Sequence, residues 1–378
     1  MPKDYEIIRY SDDFKQEVIE FQKHQWSPHA ELNASFLDWK YQQNPYLKEP
    51  LIYLARQDGK IVGMRGMVGA NWEVGTPART YLGVCAEDLL IDPAHRNRGL
   101  MKEIMRTSFV DLATKGHEYI YSLTALPVTL IGSLAMGFRS GGSFHPQFLY
   151  SRRYDWFMKN YRTIGEMKFF WRFAGKIAKW AERRQTLPDL CRSHERSRWR
   201  RNPNILAEMT PRPEEMDDLI RRIRHDGRIR HVRDREYFSW RFLNPMARYL
   251  FLYWTENRLE GYLVLQESIT ELRNKVLVNI VDWEGTSQRV LKDLLHAAIE
   301  LYPFPLLIIW IATLGEEKVE LLRKVGFRSG TEREFHYPPT LLVRAVRDDM
   351  MDTEWSLAGR RLLDMADWDF RMVYSMYV

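Results

Sequence analysis

The spacing of apolar and polar positions predicts alternating strands and helices in the first half of the chain. A two-residue period is typical of half-buried strands, and a period of about 3.6 residues is typical of amphipathic helices. The predicted strands are 6–10, 51–56, 61–68, 80–91, 119–123 and a last strand near Phe148. The predicted helices are 13–25, one that carries Phe36, Trp39 and Lys40 near one face and ends at Asn44-Pro45, 99–115, and a short one that ends at Gly137.

The second half shows the same alternation and predicts a second mixed α/β unit. Its predicted strands are 249–254, 258–266, 275–282 and 306–311. Its predicted helices are one that begins at Glu214, 287–301 and 316–325. At 378 residues the chain exceeds the usual size of one domain, which also favours two domains.

Two sequence segments recur in the same order, which indicates an internal duplication. The segment FLDWKYQQNP at 36–45 reappears, one residue shorter, as YFSWRFLNP at 237–245. The segment GFRSG at 137–141 then reappears unchanged at 326–330. The separations from Asn-Pro to Gly-Phe are similar in the two halves, at 92 and 81 residues. Because two matches occur in order and at like spacing, we interpret the chain as a duplicated domain.

The segment that joins the halves is strongly basic. From Arg152 to Arg201 there are 15 Lys/Arg against 5 Asp/Glu, a balance of +10; since the whole chain is +6, the remainder is net −4. The positive charge is concentrated in one segment and does not cover a whole surface, which argues against a nucleic-acid-binding protein. No nucleic-acid partner is therefore expected. The aromatic residues between Tyr154 and Arg184 are consistent with a helix packed across the two domains or with contact to a membrane surface. We expect the packed helix.

Composition narrows the class of protein further. Hydrophobic residues make up 45% of the chain and aromatic residues 13%, which is ample for buried cores. The two cysteines, Cys85 and Cys191, form neither a disulfide framework nor a metal-ligand spacing. The amino-terminal residues lack the apolar stretch of a signal peptide, and the most apolar run, 306–312, is too short to cross a bilayer. We therefore expect a reduced, cytoplasmic protein without a metal.

The junction between the predicted strand 80–91 and the predicted helix 99–115 carries the most informative chemistry. Asp92-Pro93 is followed by Arg96-Asn97-Arg98-Gly99 before the helix begins. Exposed backbone N–H groups at the positive end of a helix dipole form an anion site. Glycine lets phosphate oxygens approach the backbone, and arginine adds charge-assisted hydrogen bonds. The implied ligand is a pyrophosphate or a phosphopantetheine.

This junction resembles motif A of the GNAT acetyltransferase superfamily, in which Arg/Gln-x-x-Gly-x-Gly/Ala follows a long fourth strand. Arg96 and Gly99 match the motif, whereas Met101 replaces its last small residue and is expected to narrow or reshape the loop. The resemblance implies that the cofactor is acetyl-CoA or another acyl-CoA, or the acyl-phosphopantetheine of a carrier protein. The residues implied to bind it are Leu89, Leu90, Ile91, Arg96, Asn97, Arg98, Gly99, Leu100 and Met101.

The resemblance covers residues 5–150, and residues 200–345 resemble a second copy. It implies an α/β fold of the mixed α+β type, with two GNAT-like domains that each have a central, mostly antiparallel mixed sheet flanked by helices. The implied divisions are a domain with the pyrophosphate loop at 1–150, a basic aromatic helical linker at 151–200, and a degenerate domain with a C-terminal tail at 201–378. The second copy has no Arg-x-x-Gly after its equivalent strand, and Ser287 or Thr286 is expected to cap its helix instead.

Acyl transfer of this kind needs a base for the attacking amine and an acid for the departing thiolate. Glu87 is the best candidate for the base, because it shares strand parity with Leu89 and Ile91, whereas Asp88 would point to the opposite face. An ordinary surface carboxylate is the competing interpretation of Glu87. In GNAT enzymes the acid is often a tyrosine four residues before Gly-Phe, and here that position is Ser133. Cys85 is expected to pack in the core rather than to act as a nucleophile.

These features predict an N-acyltransferase that acts on a small amine or amino sugar. A variant takes its acyl group from an acyl carrier protein, whose acidic surface would suit the basic linker. Aminoacyl transfer to a cell-wall or lipid precursor is a third alternative, against which the intact loop from Arg96 to Gly99 argues. A non-catalytic acyl-CoA sensor or scaffold is the fourth, and the missing tyrosine favours it.

Overall fold

The structure is a computed structural model that describes residues 5–124, 127–144, 146–150, 202–223, 225–268, 277–301, 306–329 and 339–375. Two large mixed sheets with helices packed against them make up most of the described residues, so the predicted fold class is confirmed. The predicted basic linker at 151–200 lies outside the described residues. Among the described helices, none has both the length and the apolarity that a membrane span needs.

In the first half, most helices and strands begin and end within a few residues of the predicted positions. One strand, β6, is additional. The strands are β1 (Glu6–Arg9), β2 (Leu51–Gln57), β3 (Lys60–Val74), β4 (Arg79–Ile91), β5 (Tyr119–Thr124), β6 (Arg139–Ser143) and β7 (Pro146–Tyr150). The helices are α1 (Lys15–Gln22), α2 (Ala30–Leu37), α3 (Leu100–Thr114) and α4 (Pro127–Ala135), and a π-helical turn (Asp38–Gln42) extends α2.

The second half repeats this plan. Its strands are β8 (Ile205–Glu208), β9 (Arg230–His231), β10 (Ala247–Thr255), β11 (Leu259–Ser268), β12 (Leu277–Gly285), β13 (Leu306–Trp310), β14 (Arg328–Ser329) and β15 (Thr340–Ala345). Its helices are α5 (Pro213–Arg222), α6 (Arg235–Arg241), α7 (Gln288–Leu301) and α8 (Glu316–Lys324). A two-stranded ribbon of β16 (Ser356–Leu357) and β17 (Arg360–Arg361) follows.

The two sheets have the same strand order, and each exchanges a strand with the other: β15 of the second half lies in the first sheet and β7 of the first half lies in the second. The first sheet runs β1-β2-β3-β4-β5-β15-β6, with β9 paired to β3, and the second runs β8-β10-β11-β12-β13-β7-β14. The last strand of each copy therefore lies in the sheet of the other copy. The predicted boundary at residue 150 stays a prediction for the domains, but the sheets exchange strands across it.

The repeated segment found in the sequence forms a nearly symmetric contact between the two halves. Trp39 Nε1 donates to the carbonyl of Trp240 at 2.9 Å, and Trp240 Nε1 donates to the carbonyl of Trp39 at 2.8 Å. Their rings stack with centroids 5.5 Å apart. In each copy the asparagine of Asn-Pro accepts from a backbone N–H two residues later, at 2.9 Å for both Asn44 and Asn244. Equivalent residues in equivalent roles are what a duplication produces.

Candidate active site

The site that the sequence predicts lies where β4 and β5 separate. These two strands run parallel and pair only at Val84 with Ile120 and at Cys85 with Tyr121, although both continue further. One residue beyond this point, the Ser122 hydroxyl donates to the carbonyl of Ala86 at 3.1 Å. The strands therefore form a fork whose mouth opens toward the N-terminus of α3, and an extended ligand can pair with the backbone of either arm.

A bulge in β4 reverses the predicted direction of its side chains. Gly66 faces Glu87 across β3 and β4, but Met64 faces Leu90, so β4 carries one extra residue, and Asp88 adopts a left-handed conformation with φ +48°. Leu90 packs with the α1–α2 core, whereas Ile91 packs with the opposite core around α3. The predicted parity was wrong: Glu87 shares a face with Leu90, not with Ile91, because a bulge shifts the alternation by one residue.

Lys40, in the π-helical turn after α2, pairs with both carboxylates at the bulge. Its Nζ lies 2.7 Å from Glu87 Oε2 and 2.9 Å from Asp88 Oδ1, and Tyr41 Oη donates to Asp88 Oδ2 at 2.6 Å. Glu87 is 3% exposed and Lys40 is fully buried, so the interpretation of Glu87 as a surface carboxylate was wrong. A Cβ at Gly66 would lie 1.8 Å from Tyr41 Oη, so glycine opposite the bulge makes room for this contact.

Replacing Lys40 by Met is expected to cost about 3–5 kcal/mol of unfolding free energy, because two buried carboxylates would lose their shared cation. Urea unfolding of Lys40→Met at neutral pH measures the loss. Lys23→Met is the matched control: Lys23 pairs with Glu20 at 2.7 Å at the surface, where about 1 kcal/mol or less is expected. Equal losses in the two variants would contradict a stabilising cluster.

The predicted phosphate loop is exposed and begins α3. Asn97 and Gly99 have left-handed φ values of 59° and 77°, and the carbonyl of Gly99 accepts from the N–H of Lys102 at 2.9 Å. Apart from its chain neighbours, no atom of the described residues lies within 4 Å of the position of a Cβ on Gly99, so these residues leave the space beside the loop open. Arg96 Nε donates to the carbonyl of Ile91 at 3.1 Å and thereby ties the loop to the end of β4. The first N–H groups of a helix have no partner within it and are available to an anion.

Met101, which departs from the motif, is directed toward α4. Its Sδ lies 3.1 Å from the position that a Cβ on Gly132 would take, and it packs with the core around α3. The motif has a small residue at the position of Met101 on α3, whereas here the small residue, Gly132, lies on the facing helix. This arrangement accommodates the thioether between the two helices.

Ser133 lies on α4 and is buried. Its carbonyl accepts from the N–H groups of Met136 and Phe138 at 3.0 and 3.1 Å, which ends the helix. Its role in catalysis stays a prediction. An aliphatic hydroxyl is a weaker acid than the phenol that the family usually has at this position.

Tyr121 and His231 were missed by the sequence analysis. Tyr121 Oη lies 3.3 Å from His231 Nε2, and His231 comes from β9 of the second half. The ring of His231 stacks on Tyr374 with centroids 3.9 Å apart. Burial, reinforced by Arg241 and Arg233, lowers the pKa of His231 to about 3, so the imidazole is neutral. The second half therefore reaches the fork of the first.

In the second copy the equivalent strand, β12, also has a bulge and buried carboxylates. The cations that pair with them are not at the position equivalent to Lys40. Arg233 donates to Asp282 Oδ1 and Glu284 Oε2 at 3.0 Å each, and Arg371 donates to Glu284 Oε2 at 3.1 Å. Burial alone would raise the pKa of Glu284, but Arg371 and Lys318 hold it well below its usual range. Arg371, from the C-terminal segment, thus joins Arg233 in a network of buried ion pairs in the second copy.

The turn after β12 differs from the loop after β4. Ser287 Oγ accepts from the N–H of Val290 at 3.3 Å, which confirms the expected cap, and Thr286 Oγ1 donates to Glu260 at 2.8 Å. None of the residues 282–287 has the left-handed φ that Asn97 and Gly99 have in the loop after β4. Within the part of the chain that the structure describes, no group of three or more His, Cys, Asp or Glu side chains could hold a metal ion.

Comparison with known families gives one match, in the first half. Residues 6–133 match the family described as an acetyltransferase (GNAT) domain. The matched region includes the fork, the bulge and the loop. No curated protein is similar to the chain in sequence.

Several solved structures have a similar fold, at identities that show the fold alone. A conserved protein of unknown function from Enterococcus faecalis V583, described as a probable N-acyltransferase, has a TM-score of 0.55 at 11% identity, over 91% of this chain and 73% of its own. A tandem GNAT protein from the clavulanic acid biosynthesis pathway has a TM-score of 0.53 at 12% identity, over 91% of this chain and 99% of its own. A GCN5-related N-acetyltransferase from Anabaena variabilis ATCC 29413 has a TM-score of 0.56 at 10% identity, over 91% and 73%.

Proposed function

We propose that the chain transfers an acyl group from acyl-CoA to a small amine or amino sugar, because residues 6–133 match the GNAT acetyltransferase domain family and the chain is similar in fold to a tandem GNAT protein. The observation that carries this proposal is the open, left-handed loop at the N-terminus of α3, directly after the bulged β4. The loop offers N–H groups and arginines to a pyrophosphate, and the fork offers a backbone to the pantetheine arm. Leu89, Leu90 and Ile91 form the β4 arm.

Glu87 is proposed as the base that receives the proton of the attacking amine. It lies at the bulge, two residues beyond Cys85, where the last pair between β4 and β5 forms, and next to the ammonium of Lys40. The oxyanion of the tetrahedral intermediate would be stabilised by a backbone N–H of β4 that no longer pairs with β5. The second half contributes walls and His231 rather than a second cofactor site.

A donor presented by an acyl carrier protein is the second candidate, and α4 favours it. Val128, Ile131 and Leu134 are 83%, 66% and 44% exposed on this helix. On α3, the side chains of Lys102 and Arg106 are also exposed. A nucleotide has no use for an apolar stripe outside the phosphate loop, whereas an acidic carrier protein can contact both the stripe and the cations.

The proposed function is tested by thiol release from acetyl-CoA in the presence of a panel of small primary amines and amino sugars. We expect amine-dependent release by the purified protein, with a stoichiometric N-acyl product seen by mass spectrometry. The same acyl group on an acyl carrier protein distinguishes the two donors, since a carrier-dependent enzyme would have a much higher kcat/KM with it. Binding of acetyl-CoA without transfer to any amine or from any donor would favour a sensor instead.

A further inference from the structure

Tyr121 occupies the position in the fork where a departing thiolate would need a proton. Tyr121 pairs with Cys85 in the last pair between β4 and β5, and it therefore lies where the two strands separate. The acyl end of a ligand that enters the fork stops at this point, because backbone pairing closes the strands beyond it. The usual acid position on α4 holds Ser133, and the proposed reaction therefore lacks its phenol there.

A buried chain of side chains connects Tyr121 to the proposed base. Cys85 Sγ lies 3.7 Å from Glu87 Oε1, and Cys85 lies opposite Tyr121 in the last pair between β4 and β5. Tyr121 is in turn hydrogen-bonded to His231 at 3.3 Å. All four side chains are buried, so no bulk water competes for these contacts.

The protonation of this chain leaves Tyr121 able to donate. Burial raises the pKa of the Cys85 thiol and of the Tyr121 phenol well above their usual ranges, so both groups keep their protons. His231 is neutral, and its Nδ1 has no hydrogen-bond partner among the described residues. A buried N–H without a partner is rarer than a buried acceptor without one, so the proton belongs on Nε2. His231 then donates to the Tyr121 oxygen, so the phenolic proton is not given to His231.

We propose that Tyr121 protonates the departing thiolate and that Cys85 returns the proton from Glu87 to Tyr121. This inference rests on the proposed function. The amine nitrogen forms a bond to the acyl carbon, the carbon–sulfur bond breaks, and Glu87 takes the amine proton. Tyr121 gives its proton to the thiolate and receives one from the Cys85 thiol, which is restored by the proton on Glu87. The cycle is balanced, since one proton moves from amine to thiol and no other reactant is consumed.

Tyr121→Phe tests the proposal, with Tyr237→Phe as its matched control. Tyr237 is also a buried tyrosine beside His231, with ring centroids 6.1 Å apart, but its hydroxyl has no hydrogen-bond partner among the described residues. With acetyl-CoA and the best amine of the panel, Tyr121→Phe should lower kcat by about 10²-fold and leave the Kd of acetyl-CoA unchanged. Tyr237→Phe should leave kcat unchanged.

A thioester with an acidic aryl thiol as its leaving group distinguishes a catalytic role of Tyr121 from a structural one. Its thiolate departs without a proton, so Tyr121→Phe should regain the wild-type rate with an acetyl aryl thioester. Cys85→Ser, which can still pass a proton, should keep most of the activity that Cys85→Ala loses. The relay is overturned if Tyr121→Phe is as fast as wild type with acetyl-CoA, or if it loses as much rate with the aryl thioester as with acetyl-CoA. Either result leaves the proposed function standing. A wild-type protein that transfers no acyl group overturns the proposed function and the relay together.

Discussion

Replacing Gly99 by Glu is expected to weaken acetyl-CoA binding by about 10²–10⁴-fold while the protein stays folded. The substituted side chain would place a carboxylate in the open space beside the loop, where phosphate oxygens are proposed to approach. Losing two charge-assisted hydrogen bonds costs about 3–6 kcal/mol, which corresponds to that range of affinity. Isothermal titration calorimetry with acetyl-CoA measures the change.

Gly116→Glu provides the matched control for backbone strain. Gly116 follows the other end of α3 and has a φ of 79°, and within the described parts of the chain only its own neighbours in sequence come within 4 Å of its Cβ position. Both variants therefore force a side chain into the same left-handed conformation on the same helix. The control should bind acetyl-CoA like wild type. An unchanged affinity in Gly99→Glu, or an equal loss in Gly116→Glu, would contradict the assignment of the loop.

Replacing Glu87 by Gln is expected to lower kcat by about 10²–10⁴-fold, the usual scale of general base catalysis, with acetyl-CoA affinity unchanged. The amide keeps the shape of the side chain, and its oxygen can still accept from Lys40, but it cannot take a proton. The wild-type rate should rise with pH, because the acceptor amine must be neutral to attack. Steady-state kinetics with the best amine of the panel measure kcat and its dependence on pH.

Asp88→Asn removes the same charge from the same cluster without touching the proposed base. Asp88 also pairs with Lys40, at 2.9 Å, and asparagine tolerates its left-handed φ. This variant should lose tenfold or less in kcat. Equal losses in the two variants would mean that Glu87 acts through the charge of the cluster, and full activity in Glu87→Gln would remove Glu87 from the mechanism.

The periodicity of apolar residues and the residues typical of turns were sufficient to predict the strand and the helix on either side of the loop. The strand predicted at 80–91 and the helix predicted at 99–115 are observed at Arg79–Ile91 and Leu100–Thr114. The membership of strands in sheets was not predictable in this way. A strand was predicted near Phe148, where β7 forms, but none was predicted at β15, whose sequence TLLVRA does not alternate apolar and polar residues. The local pattern of a strand also carries no information about the sheet in which it pairs.

The side chains around the fork were only partly predictable. The bulge at Asp88 inverted the expected direction of Glu87, and one extra residue in a strand leaves no mark on its composition. Lys40 did have a signal, because a lysine beside Phe36 and Trp39 on an apolar helix face needs a buried carboxylate. Tyr121 and His231 are 110 residues apart, and their contact depends on how the two halves pack. No single segment of the chain predicts it.

The exchange of β7 and β15 has a consequence for how the protein is made. β6 pairs with β15 and with no other described strand, and β15 begins only at Thr340. While the ribosome is still adding the second half, the nascent first sheet therefore exposes the edge of β5 and the whole of β6. Open edges are templates for pairing with other chains. Chaperones that shield nascent chains, and slow growth at low temperature, should thus increase the yield of soluble protein far more than they would for two domains that fold one after the other.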